Sequence, residues 1–306
     1  MSLNFAETAS ALTDGVVGFI TTRDLVSVRG ADAHSFLQGQ LSQDLSALST
    51  GDCAESLLLS PQGKLEAYLR VRRQDDETFL LDCASGTGEI VKERLRRFKL
   101  RVKVELSLEQ RAVVLVRGPN ARDLIDGLDH LVPVFPYSWP GLNGFDVYVG
   151  YDELTSPPAL GDPAALEVAR IRAGEPVMGA ELTEQTIAQE TPLTARTVSF
   201  TKGCFTGQEL VARLDARGSR VARHLRLLVV KPGERHRVPY VGEPIMVGDR
   251  QVGIVTSTAY SPLDGCSYAL GYIHRSVEPP ASAIVIAGDH EDNLVVEINS
   301  LEKIKP

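Results

Sequence analysis

Short apolar blocks separated by glycine, proline and aspartate run along the chain, and their internal spacing switches between two and between three and four residues. In the first half the two spacings take turns. "RDLVSVRG" (23–30) reads as a strand, "ADAHSFLQGQL" (31–41) as a short helix, "ESLLLSPQGKLEAYLRVRR" (55–73) as a hairpin turning at Pro61, Gln62 and Gly63, and "TFLLDCA" (78–84) as a strand. In "GEIVKERLRRF" (88–98), Ile90, Val91, Leu95 and Phe98 recur at helical spacing, and "RVKVEL" (101–106) alternates as a strand does. "RAVVLVRGP" (111–119) and "ARDLIDGL" (121–128) repeat strand then helix. This half is expected to be α+β, with helices packed on antiparallel sheets.

Between Leu131 and Pro163 proline, glycine and aromatic residues dominate, around a candidate strand "GFDVYVG" (144–150) and a loop "DELTSPPALGDP" (152–163). A helix "AALEVARIRAG" (164–174) follows. Beyond Arg223 the spacing is that of strands alone: "HLRLLVV" (224–230), "EPIMV" (243–247), "RQVGIVTSTAY" (250–260), "SYALGYI" (267–273), "SAIVIAG" (282–288) and "NLVVEI" (293–298). The expected organisation is residues 1–223 as a two-lobed α+β region and 224–306 as a separate all-β barrel or sandwich. No internal repeat or low-complexity segment interrupts this pattern. At 306 residues the chain also exceeds what one hydrophobic core usually organises.

A net charge of −8 argues against broad electrostatic capture of DNA or of an anionic membrane. No apolar run has the length of a membrane span, and "MSLNFAETASALTDG" lacks the basic start and apolar stretch of a secretory signal, so a cytoplasmic location is expected. The run Lys92, Arg94, Arg96, Arg97, Lys99, Arg101 and Lys103 is expected to be a solvated helix face, the alternative being a site for an anionic partner. "SPQGK" ending at Lys64 lacks the first glycine and the following Ser/Thr of a phosphate loop. Glu190 is a carboxylate that could reach a cleft or simply cap a helix end. The cysteines, Cys53, Cys83, Cys204 and Cys266, form no CxxC or Cys/His cluster, which excludes a disulfide framework or zinc site as the expectation. Cys53, Cys83 and Cys266 sit among apolar or small residues and read as structural.

Cys204 differs because of its neighbours in "TKGCFTGQELVAR" (201–213). Thr206 and Glu209 fit a capping box, with Phe205 and Leu210 as its hydrophobic staple, so a helix is expected to begin there. Cys204 would then lie just before a helix N-terminus with Lys202 two residues away, both favouring a thiolate. Gly203 and Gly207 would allow close backbone approach to a ligand. An ordinary cap beside a buried cysteine accounts for the same residues, since no His that could serve as a base is close in sequence.

"KGCFTGQELVAR" resembles the signature of the YgfZ family of folate-binding proteins, relatives of a mitochondrial iron–sulfur assembly factor and of glycine-cleavage T-protein, an aminomethyltransferase. "FLQGQLSQDL" (36–45), "LLLSPQGKLEAYLRV" (57–71), "RIRAGEPVMGAEL" (170–182) and "VGIVTSTAYSPLDGCSYALGYI" (252–273) extend the resemblance over nearly the whole chain. It implies a three-lobed aminomethyltransferase-like fold with a C-terminal barrel and tetrahydrofolate, or a one-carbon derivative, bound in a central hole. It also implies iron–sulfur client enzymes as partners, including the radical enzyme that methylthiolates tRNA. Lys202, Gly203, Cys204, Gly207, Gln208 and Glu209 match the signature; Cys204 is the implied functional thiol, Lys202 its electrostatic partner, and Gln208 and Glu209 are placed to order the loop. Arg170 falls where T-protein has the first arginine of its "RLEAG" stretch, on the folate side.

Two departures from T-protein weigh against methylene transfer. Ala67 and Tyr68 stand where it has an acidic pair, with Glu66 displaced towards the opposite strand face, and Leu142 stands where it has a glutamate that grips the pteridine. A folate-binding protein that maintains iron–sulfur clusters is the leading expectation. A folate-dependent aminomethyltransferase and an adaptor without a ligand are the alternatives.

Overall fold

The computed structural model describes residues 2–301 apart from 127, 130, 155, 231–236 and 287–292, so the last two positions of the predicted strand 282–288 lie outside the described residues. Helix α1 (Phe5–Asp14) opens the chain, held by a reciprocal capping box between Asn4 and Glu7. Strands β1 (Val17–Arg29), β2 (Cys53–Leu59), β3 (Leu65–Arg73), β4 (Thr78–Ala84), β5 (Glu105–Arg117), β6 (Val134–Trp139) and β7 (Leu142–Val147) build one antiparallel sheet in the order β2-β3-β4-β1-β5-β7-β6. Of the segment expected as a strand at 101–106 only Glu105 and Leu106 are in a strand, and they run on into the expected strand at 111–119 as β5, which pairs with β1 along its whole length. Arg101, at φ 61, lies ahead of that strand and outside the alternation.

Helices α2 (Ala33–Gln40) and α3 (Gly88–Phe98) cover one face of the sheet. Leu37, Val91 and Leu95 pack there on Val28, Leu69, Val71 and Leu81. The basic run on α3 departs from a fully solvated face. Arg94 is buried, pairs with Glu66 at 2.7 Å and lies over the Phe98 ring at 3.9 Å, while Ile90 and Phe98 are exposed. The long stem of an arginine covers apolar surface, so the helix buries Arg94 in place of its two outer apolar residues.

Helix α4 (Ala121–Ile125) is short, and α5 (Pro163–Ala173) starts on an Asp162 cap with Pro163 in its first turn. After α6 (Thr194–Thr197) and α7 (Gln208–Asp215), strands β8 (Arg223–Val230), β9 (Pro244–Val247), β10 (Arg250–Ser261), β11 (Cys266–His274), β12 (Ala281–Val285) and β13 (Leu294–Asn299) close a barrel in the order β10-β11-β8-β13-β12-β9. Leu228, Ile245, Val255, Ala269 and Val296 fill it. Helix α5 joins sheet and barrel: Val168 and Ile171 pack on Leu225, Leu270 and Tyr272. Glu181, fully buried, accepts hydrogen bonds from Thr256 Oγ1 at 2.7 Å and Ser257 Oγ at 2.6 Å on β10.

Candidate functional site

The sheet face opposite α2 and α3 carries charges at alternate strand positions. Strand register sets Arg70 opposite Asp82 and Leu115 opposite Asp146, with Arg117 two residues further on the same face. Asp82 accepts from Arg23 Nε at 2.5 Å, Arg70 Nε at 2.6 Å and the Tyr148 hydroxyl at 2.5 Å. Asp146 bridges Arg70 Nη2 and Arg117 Nη2, each at 2.5 Å. Buried charges persist only when paired, and here each carboxylate is shared by two guanidinium groups. Burial opposes ionisation of Asp146, yet Arg117, Arg70 and Arg23 hold its carboxyl well below the ordinary range.

A cavity of about 370 Å³ opens above this network, within the range of small-molecule sites. Arg70 and Arg117 form its charged floor, Tyr68, Leu142 and Met178 its apolar wall, and Glu175 projects from the segment after α5. That segment is fixed by local chain geometry. Gly174, at φ 71, ends the helix; its N–H bonds the Ile171 carbonyl at 3.0 Å, and the Glu175 N–H bonds the Arg170 carbonyl at 3.1 Å. These are the two bonds of a Schellman turn. Burial pushes the Glu175 carboxyl up to about 7, against the opposing pull of Arg117 and Arg70.

Arg170 lines the cavity, but its guanidinium is committed to protein atoms. Nε and Nη2 donate to Glu167 at 2.8 and 2.6 Å, and Nη1 donates to the Glu175 carbonyl oxygen at 2.6 Å. It is the one residue assigned from the sequence that lies on the cavity wall. Glu190 is buried elsewhere, where it accepts from Arg223 Nε at 3.1 Å and Nη2 at 3.2 Å, tying a one-turn 3-10 segment (Ala188–Glu190) to β8.

The "TKGCFTGQE" loop lies outside the cavity, against the β2–β3 turn. The expected capping box is absent: α7 begins at Gln208, one residue later than the Thr206 frame requires, and Gly207 precedes it at φ 81 without a side-chain cap. Packing explains the shift. A Cβ at Gly207 would meet the Ser60 carbonyl oxygen at 2.4 Å, so this glycine serves close approach to the chain's own turn. Gly203 faces open space. Gln208 Oε1 accepts from the Phe205 N–H at 3.1 Å, whereas Glu209 is exposed. Lys202 Nζ donates to the Leu41 and Gln43 carbonyls at 2.8 and 2.7 Å. Burial lowers its ammonium to about 8, with Asp44 opposing. Cys204 is exposed, Cys83 is buried, and Cys53 and Cys266 are half-buried.

Residues 13–139 match the GCVT N-terminal domain family, and residues 223–299 match the glycine cleavage T-protein C-terminal barrel domain. The chain is 28% identical over 291 residues to a protein of Edwardsiella ictaluri named tRNA-modifying protein YgfZ, covering 86% of this chain and 85% of the relative. It is 30% identical over 209 residues to an uncharacterized protein of Haemophilus influenzae, covering 65% of this chain and 69% of the relative. The chain belongs to the YgfZ and glycine-cleavage T-protein family. An aminomethyltransferase of Thermus thermophilus is 29% identical over 282 residues, with 83% of this chain and 78% of the relative covered. The crystal structure of aminomethyltransferase T from Bartonella henselae superposes with a TM-score of 0.82 at 20% identity, over 97% of this chain and 88% of that one. The three-lobed aminomethyltransferase-like architecture is therefore the fold of this chain.

Within that family fold, Ala67 is fully buried in the sheet core and Tyr68 lines the cavity. Glu66 is paired with Arg94 and does not reach the cavity wall. Among the described residues no cluster of three His, Cys, Asp or Glu side chains is arranged to hold a metal ion, and no helix is long and apolar enough to cross a membrane. Sequence reasoning missed Arg23, Arg70, Asp82, Arg117, Asp146 and Glu175. The available signal was a lone charge inside each of several apolar strands.

Proposed function

We propose that this chain is a cytoplasmic YgfZ-like protein that binds tetrahydrofolate, or a one-carbon derivative, in the cavity. It supports assembly or repair of iron–sulfur clusters in client enzymes, radical tRNA-methylthiolating enzymes among them, through the Cys204 thiol. The observation that carries the folate part is the cavity itself: a guanidinium floor, an aromatic and aliphatic wall, and one carboxylate, in the fold shared with aminomethyltransferases. The exposed Cys204 supports a thiol that meets a partner protein at the surface and not a ligand in the cavity.

The aminomethyltransferase alternative needs a proton acceptor where the chain has Ala67 and Tyr68. Burial and the Glu55 carboxylate push the Tyr68 phenol well above its ordinary range, so it stays protonated and is a poor base. The test is a strain lacking this protein, supplied with wild type or Cys204→Ala, with activity of an iron–sulfur tRNA-methylthiolating enzyme as the readout. Wild type alone should restore the activity. Equal restoration by Cys204→Ala would remove the thiol from the mechanism, and formation of methylenetetrahydrofolate and ammonia from tetrahydrofolate and an aminomethyl-lipoyl donor would favour the transferase.

A further inference from the structure

One carboxylate in the cavity has no partner among the described residues. The other acids on the wall are satisfied: Asp146 by Arg70 and Arg117, and Glu167 by two N–H groups of Arg170. The Glu175 carboxylate has no hydrogen bond or ion pair among the described residues, although it lies in the field of Arg117 and Arg70. Its backbone is fixed on both sides, by the Schellman turn at its N–H and by Arg170 Nη1 at its carbonyl oxygen. A carboxylate on a fixed backbone, with neither oxygen engaged by the described residues, is a receptor for two adjacent N–H donors, and the flanking apolar wall suits a flat ring.

A reduced folate carries such a pair on its pterin ring, the 2-amino group and N3–H. We propose that Glu175 recognises this pair from the α5 side, accepting the 2-amino and N3–H donors, and that Arg170 is its positioning residue. The proposal rests on the folate reading above and adds the residue that gives the site its pterin specificity.

The charged and titratable groups that face Glu175 are Arg23 on β1, Tyr68 and Arg70 on β3, Arg117 on β5, Tyr137 on β6, Asp146 on β7, Glu167 and Arg170 on α5, and Arg196 on α6. Glu175 is the carboxyl that burial brings to about 7, so the acceptor form grows as pH rises through that value.

The test is calorimetric titration of 5-formyltetrahydrofolate into wild type, Glu175→Gln and Glu175→Asp between about pH 6 and pH 8.5, with p-aminobenzoylglutamate as a probe lacking the pterin. Wild-type affinity should rise with pH. Glu175→Gln should bind about tenfold or more weakly at the upper pH with a flat profile, Glu175→Asp should keep the slope at reduced affinity, and p-aminobenzoylglutamate should not distinguish the three. Wild-type affinity and slope in Glu175→Gln would overturn the proposal while leaving the folate reading intact. No binding of 5-formyltetrahydrofolate to wild type would overturn both.

Discussion

Arg70 lies directly opposite Asp82 in the β3–β4 ladder, and its Nη2 also donates to Asp146 on β7 at 2.5 Å. Three strands, β4, β1 and β5, separate β3 from β7 in the sheet order. In a flat sheet four spacings of about 4.8 Å would put β3 and β7 about 19 Å apart, beyond the reach of any side chain. The sheet is therefore curled with its charged face concave, and the cavity is the hollow of that curl. The ion network is what joins its two sides.

Asp82→Ala should leave Arg23, Arg70 and the Tyr148 hydroxyl without their common acceptor. Removing one partner of a buried ion pair typically costs about 3–5 kcal/mol. Urea unfolding of the variant should show a loss of that order, and a loss under about 1 kcal/mol would mean the network relaxes around water.

The cavity carboxyls give pH dependences of opposite sign. The Asp146 carboxyl is depressed in the folded state, so its contribution is present above the unfolded value of about 4 and is lost as pH falls below it. The Glu175 carboxyl is raised from 4.5 to about 7, so the folded state holds its proton more tightly than the unfolded state. Its contribution is complete below 4.5 and is lost as pH rises through about 7. In the absence of ligand, urea midpoints of wild type should decline over that window, and Glu175→Gln should flatten the decline. Parallel profiles for the two proteins would show that Glu175 does not titrate there.

The two glycines of the motif should respond differently to alanine. Gly207 combines φ 81 with a Cβ direction blocked by the Ser60 carbonyl at 2.4 Å, whereas Gly203 faces open space. Gly207→Ala should destabilise by about 1–3 kcal/mol and Gly203→Ala by a few tenths at most. Thermal melts of both would check this, and equal melts would mean that the loop does not depend on its contact with the turn.

Most elements were legible because their spacing is local: the hairpin at Pro61–Gly63, the α5 helix with its Gly174 stop, and the barrel strands all follow from periodicity and turn residues. The start of α7 was not, because Thr206 and Glu209 satisfy a capping pattern that the contact between Gly207 and the β2–β3 turn overrides. Asp82 in "TFLLDCA", Arg117 in "RAVVLVRGP" and Asp146 in "GFDVYVG" announce buried partners, since a lone charge in an apolar strand must be paired. Which charge pairs with which depends on strand order and sheet curvature, and neither is written in any one segment. Glu175 was hidden for the same reason: "RAGEP" marks a turn, but only the packing of α5 between sheet and barrel aims the side chain.

Native-state alkylation should label Cys204 first, since it is exposed, and Cys83 last, since it is fully buried and burial raises its thiol. Mass spectrometry of partially alkylated protein gives the order. Labelling of Cys83 ahead of Cys204 would contradict the surface role assigned to the motif loop.

The most direct test of the account is hydrogen exchange with and without 5-formyltetrahydrofolate. The account predicts added protection in the segments lining the cavity, residues 68–70, 115–117 and 175–178, with the loop at 202–207 unchanged. Protection confined to the loop around Cys204, or none in any segment at saturating ligand, would contradict it.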